Sequence, residues 1–296
     1  MSDLGVLSYY LGIEVKQGGQ GIGLSQCTYA AKLLEKAGMG SCNSCATLME
    51  AKLKLSKVSD SKPVDATMYR SLIGSLRYLL HTRPELTYSV CYLSRFMEAP
   101  KQEHLDAVKR VLRYVAGTVD YGLLYSRGKS GSLQILGYSD SDMAGDIDDS
   151  KSTSGVIFFL GDGAATWSSQ KQRVVALSSC EAKYIAGTAA ACQAVWLARL
   201  LEEMMGTRAD TPQIMMDNMS AIALSKNPVL HGRSKHIKTK YHFIRECVDN
   251  GEVVLESVDT ADQLTNILTK PLVRVRFQEL CEKIGVVKIM PAKPMK

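Results

Sequence analysis

The sequence predicts an α/β fold in two parts: a smaller, mostly helical domain with a β-hairpin, then a mixed sheet flanked by helices. Three observations predict it. Strand-like runs open the chain near Leu7 and return at Leu133, where Leu133 and Ile135 alternate with Gln134, Leu136 and Tyr138. Three segments of helical spacing lie between them. The polar run from Arg127 to Ser132 is the best linker in the chain, so the domains are taken as 1–128 and 129–296.

In the first part, Leu7–Val15 is expected as a strand, Gly18–Gly21 as a turn and Ile22–Ser25 as the returning strand. A helix should follow from about Gln26 to Ala37, stopped by Gly38 and Gly40. Residues from about 41 to 64 carry no clear period and read as a long connection. Asp65 caps a helix whose apolar positions are Met68, Leu72, Leu76 and Leu79. Arg83-Pro84 ends it and opens another through Tyr88, Cys91, Leu93 and Phe96. After Pro100 a third helix turns Leu105, Val108, Leu112 and Val115 inward and shows Lys101, Lys109, Arg110 and Arg113 on its other face. Such a cationic face is either solvated or a grip for phosphates. Tyr121–Tyr125 reads as a short strand.

The second part follows the order β-β-β-α-β-α-α-β-α. Gly155–Leu160 and Ala165–Ser168 continue the sheet begun at Leu133, with a turn at Gly161–Gly163. A long helix is expected from about Ser179 to Met205, with Ile185, Ala189, Cys192, Trp196 and Leu200 on its inward stripe. The strand Ile214–Met216, helices through Ile222 and over about 234–248, the strand Val253–Val258 and helices around Leu264 and Phe277 complete it.

Across 296 residues, 46% hydrophobic and 22% charged content describe a folded chain, not a disordered one. No apolar run is read as approaching membrane-spanning length and no secretory signal is evident, so an intracellular, cytoplasmic or nuclear place without membrane is expected. The net charge of +6 is compatible with a polyanionic ligand. The 8 cysteines are scattered in apolar patterns, as reduced thiols would be, and Cys42 and Cys45 form a CxxC that no second pair completes into a zinc site.

Four acids fall at element ends. Asp140 closes the first strand of the second part and Asp217 follows Ile214–Met216, while Glu181 and Asp262 open helices. Each also reads structurally. Ser178…Glu181 and Thr260…Gln263 have the spacing of a capping box, and Asp217 can cap the helix after it. Against that, Glu181 lies in line with the expected inward stripe, where a carboxylate is costly unless satisfied. Converging carboxylates repel, and an oxygen-binding divalent cation such as Mg²⁺ or Mn²⁺ offsets the repulsion.

Several ordered motifs carry a resemblance. Gly137-Tyr-Ser-Asp140-Ser-Asp-Met-Ala-Gly-Asp146, Trp167 through Tyr184, Asp217-Asn-Met-Ser-Ala-Ile222, Lys235 through Glu246 and Ala261 through Pro271 together resemble the ribonuclease H domain of copia-type retrotransposon Pol polyproteins. The first half resembles the reverse transcriptase thumb and connection of the same polyproteins, through Tyr10–Val15, Tyr69–Tyr78 and Leu93–Met97. The polymerase aspartates of a Tyr-x-Asp-Asp motif are not in the chain. The resemblance implies a ribonuclease H-like fold and an endonuclease that hydrolyses the RNA strand of RNA–DNA hybrids. It implies two Mg²⁺ (or Mn²⁺) ions held by Asp140, Glu181, Asp217 and Asp262. Lys109, Arg110 and Arg113, with Lys235, His236, Lys238 and Lys240, would hold the hybrid backbone. Asp142, Asp146, Asp148 and Asp149 are expected as turn and surface residues. Two positions depart from the resemblance: Met143, where tryptophan is usual, and Lys183, where a second acid is usual. A non-catalytic remnant that binds nucleic acid or protein is the alternative.

Overall fold

The computed structural model describes residues 5–19, 21–127, 133–226 and 242–289. They form two compact units, Met1–Lys129 with Pro271–Lys296, and Ser130–Lys270. The last segment therefore differs from the expected 129–296 domain. Its strand returns to the first unit and pairs there, because Val286–Lys288 find their hydrogen bonds on Tyr121–Leu123.

In the first unit, β1 (Tyr9–Tyr10) and β2 (Ile13–Gly18) replace the single expected strand. Tyr10 pairs with Ile13, leaving a two-residue loop in which Leu11 has φ 47° and Gly12 φ 79°. Positive φ at both central residues is the hairpin turn whose twist matches its strands, and glycine takes the second place without strain. The strands β3 (Gly21–Ser25), β4 (Tyr121–Ser126) and β10 (Val286–Lys288) complete a five-stranded antiparallel sheet in the order β1-β2-β3-β4-β10. The unit is thus richer in sheet than a helical domain with one hairpin.

Its helices are α1 (Cys27–Lys36), α2 (Ala66–Leu79), α3 (Thr87–Leu93) and α4 (Gln102–Gly117), with α9 (Arg274–Lys283) from the returning segment. Asp65 caps α2 by accepting from Thr67 N at 2.8 Å. The buried stripe of α2 is Tyr69, Ile73, Leu76 and Leu79, and Met68 is exposed, so the expected face is rotated by about one residue. Tyr69 wins the inward place because its hydroxyl donates to Leu93 O at 2.9 Å, which satisfies its polar end.

The second unit holds β5 (Ile135–Ser141), β6 (Thr153–Leu160), β7 (Gly163–Lys171), β8 (Gln213–Met216) and β9 (Val254–Ser257) in the order β7-β6-β5-β8-β9. The hairpin pairs are antiparallel, while β5–β8 and β8–β9 are parallel. Helices α5 (Ser179–Met205), α6 (Met219–Lys226), α7 (Phe243–Asp249) and α8 (Asn266–Thr269) complete the expected element order. This is the expected mixed sheet flanked by helices. Its core joins Phe158, Tyr184, Ile214, Met216, Ile244 and Leu255. By length and composition α5 is apolar enough to cross a membrane, contrary to the expectation for this chain, but it packs on β5, β6 and β8 as a core helix.

Candidate functional site

Strands β5 and β8 run parallel with Ser139 opposite Met216. The next residues, Asp140 near the carboxyl end of β5 and Asp217 just past β8, therefore lie side by side where sites of open α/β sheets gather. Both side chains are buried, 1% and 4% exposed.

The group between them is Lys183. Its Nζ lies 2.5 Å from Asp217 Oδ1, as a hydrogen bond, and 3.1 Å from Asp140 Oδ1, as an ion pair without hydrogen-bond geometry. The other Asp140 oxygen accepts from Thr269 Oγ1 at 3.0 Å and lies 4.0 Å from Lys270 Nζ. Thr260 Oγ1 donates to Asp217 Oδ2 at 3.4 Å. Burial alone would lower the Lys183 pKa, but Asp140 and Asp217 more than offset it, so the ammonium titrates above the ordinary lysine range.

Helix α5 explains why residue 183 faces the aspartates. Gly187, Ala190, Ala191 and Ala194 are buried, whereas Trp196 and Leu200 of the expected inward stripe are exposed and Ala189 and Cys192 with them. Lys183, Gly187, Ala190 and Ala194 follow helical spacing along the sheet-facing side. Small residues let the helix axis approach the strands closely, with Tyr184 and Ile185 also buried, and Trp196 and Leu200 stand outside.

Glu181 is placed by the first turn. Ser178 Oγ accepts from Glu181 N at 3.1 Å, and Glu181 Oε2 accepts from Leu177 N at 2.8 Å. That reciprocal pair is a capping box in function, satisfying two donors at the helix start. Asp262 is exposed, in a turn whose backbone N–H bonds Asp259 O at 2.8 Å. Every residue from Gln263 to Thr269 is buried, and the polar ones among them are Gln263, Thr265, Asn266 and Thr269. Gln263 Nε2 donates to Ser139 O at 3.1 Å, and Asn266 Nδ2 donates to Thr260 O at 3.1 Å. Sequence reasoning missed them because it sought acids; a run of short polar residues at helical spacing was the available signal.

Of the four expected acids the fold thus brings two together. Among the described residues no group of three or more His, Cys, Asp or Glu is gathered to hold a metal. The residues present do not fit a divalent cation. An ion beside both carboxylates would sit about 4 Å from the ammonium, and at an effective dielectric of 20 a double charge there is repelled by roughly 8 kcal/mol, twice the unit-charge value. Lys183 offsets one of the two charges on Asp140 and Asp217, and Lys270 Nζ lies 4.0 Å from the other Asp140 oxygen.

Gly155, opposite Asp140 on β6, seats α8 against the sheet. A Cβ there would lie 2.8 Å from Thr269 Cγ2, 2.9 Å from Leu268 Cβ and 3.2 Å from Thr265 O. The Gly155→Val protein is expected to lose about 1–3 kcal/mol through overpacking. Its amides in α8 should exchange with solvent faster than those of α5; equal protection of both helices would contradict this.

Two further groups escaped the sequence reading. Gln172 Nε2 donates to Ala182 O at 2.8 Å, Ser154 Oγ at 2.9 Å and Ser141 Oγ at 3.2 Å, which ties β5, β6 and α5 together. Asp146, expected at the surface, is buried, and its Oδ2 is 2.6 Å from Lys171 Nζ. Lys171 also pairs with Asp149 at 2.8 Å. Against the opposing effect of burial, Lys171 and Lys151 hold the Asp149 carboxyl well below the usual carboxylate range. The acidic loop is therefore pinned by lysine, not open to a metal.

On α4, Arg110 donates to Glu50 Oε1 and Thr47 Oγ1, both at 3.0 Å, and so fastens the long connection. Lys109 and Arg113 are exposed. Lys235, His236, Lys238 and Lys240 lie outside the described residues, as does most of the expected helix that carries them. His242, at its described end, has Nδ1 2.9 Å from the Tyr184 hydroxyl.

Residues 1–51 match the family model described as reverse transcriptase (RNA-dependent DNA polymerase). The chain is 46% identical over 288 residues to the retrovirus-related Pol polyprotein from transposon RE2 of Arabidopsis thaliana, covering 97% of this chain and 20% of that protein. It is 44% identical over 288 residues to the Pol polyprotein from transposon RE1 of the same plant, covering 97% and 19%. The chain thus spans about a fifth of the length of these relatives. Among solved structures, the N-terminal ribonuclease H domain of a Mycobacterium tuberculosis protein, as a fusion protein with maltose-binding protein, is 14% identical with a TM-score of 0.33, covering 51% of this chain and 98% of that one. That score is too low to place any residue. High identity sustained through both units, together with the reverse transcriptase match at the start, means that the chain belongs to the Pol polyproteins of copia-type retrotransposons.

Proposed function

We propose that the chain serves as the thumb and connection with the ribonuclease H-type module of a Pol polyprotein, and that its ligand is RNA–DNA hybrid. The observation that carries this reading is the pair Asp140 and Asp217 at the ends of adjacent parallel strands of a ribonuclease H-like sheet. In the chemistry the resemblance implies, Asp140, Glu181, Asp217 and Asp262 would hold two Mg²⁺ or Mn²⁺ ions, which would supply hydrolysis of the RNA strand. In this chain Lys183 lies between the two central aspartates, and that contact favours a second reading: the module holds hybrid without cutting it.

Phosphate contacts supply the affinity, from Lys109 and Arg113 and from the basic run at Lys235, His236, Lys238 and Lys240. Binding of a fluorescent RNA–DNA hybrid, followed by anisotropy, is expected to weaken at least about tenfold between 50 and 200 mM salt. The Lys238→Glu/Lys240→Glu protein should show a log–log slope shallower by about 2. Asp140→Asn should leave binding unchanged, and the hybrid should stay intact in Mg²⁺. Cleavage that Asp217→Asn abolishes would instead establish an active endonuclease, and absence of salt-dependent hybrid binding would defeat both readings.

A further inference from the structure

We infer that Lys183 is a built-in cation: its ammonium takes the place between Asp140 and Asp217 that a divalent ion would need, and residue 183 decides whether this site takes an ion, a step that rests on the carboxylate placement proposed above and not on hybrid binding. Four independent features of the geometry carry it. The ammonium touches both carboxylates, at 3.1 and 2.5 Å, and its side chain is only 16% exposed. Its helix presents it from the small-residue stripe that lies against the sheet, so the backbone, not side-chain wandering, aims it there. Glu181, the acid two residues before it, accepts from Leu177 N through Oε2 at the helix start, one turn away from the ammonium's contacts with Asp140 and Asp217. Thr269 Oγ1 and Lys270 Nζ attend the remaining oxygen of Asp140, so no further cation is required.

A glutamate at 183 would start from the same Cβ and carry a third carboxylate toward the gap, with one bond less of reach. The charge there changes from two acids and a base to three acids, a donor set that suits a hard divalent ion. The outcome is therefore a change in metal binding, separable from catalysis.

The test is titration of Mn²⁺ alone into the full chain, with the free ion read by electron paramagnetic resonance. The unsubstituted protein should leave Mn²⁺ free at this site, with no difference between it and Asp140→Asn. Lys183→Glu should bind Mn²⁺ at least about tenfold more tightly, and Asp217→Asn in that background should remove the gain. Lys183→Gln keeps the test decisive if the glutamate protein does not fold, since removal of the positive charge alone should strengthen Mn²⁺ binding. A Mn²⁺ site in the unsubstituted protein that Asp140→Asn destroys would overturn the inference, as would folded Lys183→Glu and Lys183→Gln proteins without any gain. Hybrid anisotropy on the same preparations is a separate readout: its failure would remove the hybrid as ligand and leave the manganese comparison standing.

Discussion

The Lys183→Met protein is expected to lose about 3–5 kcal/mol of stability in its second unit, the range for a buried pair deprived of one partner. Methionine fills much of the lysine stem, so the loss is of charge more than of packing. Asp140 and Asp217 would then face each other almost without solvent, their side chains 1% and 4% exposed. The 16% exposure of Lys183 admits some water and places the effect toward the lower end. Hydrogen exchange in increasing urea would localise the loss to amides of β5, β8 and α5. Asp217→Asn added to Lys183→Met should recover part of it, because one of the two unpaired charges is gone. A loss below about 1 kcal/mol would mean that the pair behaves as a surface bridge. The pH dependence has a definite sign. The folded pKa of Lys183 is raised, so its stabilisation is complete below the unfolded lysine value near 10.4 and is lost only as pH rises through the higher folded value.

An effect of similar size is expected from Arg83→Met in the first unit, about 3–5 kcal/mol. Arg83 and Glu85 side chains are 2% and 0% exposed, with Arg83 Nε 2.6 Å from Glu85 Oε1. The guanidinium also donates to Thr118 O at 2.9 Å and to Thr118 Oγ1 at 2.7 Å. It lies over the rings of Tyr114 and Tyr121, 5.7 and 6.0 Å from their centroids. One side chain thus joins the start of the segment after α2 to the end of α4 and the start of β4. Removing it strands the Glu85 carboxylate, whose Oε2 already has no hydrogen-bond partner. Urea-dependent exchange should show the loss in α4 and β4 and leave α5 untouched, and Glu85→Leu added to Arg83→Met should restore most of it. An Arg83→Met protein as stable as its parent would show that the burial is tolerated without the pair.

The order of elements in the second unit was legible because strand and helix periods differ and glycine or proline marks most junctions. The face of α5 was not. Ranking residues by size put Trp196 and Leu200 inside, whereas close approach to a sheet selects Gly187, Ala190 and Ala194. Lys183, which the sequence marks only as a charge that departs from the resemblance, shares their side, while Glu181 is buried as expected and its Oε2 is satisfied by Leu177 N. Asp140 and Asp217 could be read from strand ends alone because each closes an apolar strand-like run, whereas their parallel pairing depends on a long crossover that local sequence does not show. The segment from Thr260 to Thr269 could not, because its inward residues are uncharged and its one acid between Thr260 and Asn266, Asp262, faces solvent. The hairpin at Leu11–Gly12 was invisible for a different reason: a leucine at φ 47° is uncommon enough that its neighbours suggested one continuous strand.

The return of β10 to β4 imposes an order on synthesis. Strand β4 leaves the ribosome with one edge bare, and its neighbour on that side is encoded beyond the whole of Ser130–Lys270. At about 5–20 residues per second that interval lasts on the order of ten seconds. During it the second unit is free to fold by itself while the first holds an unpaired strand edge, the kind of surface on which nascent chains stick to one another. The first sheet is thus begun first and closed last.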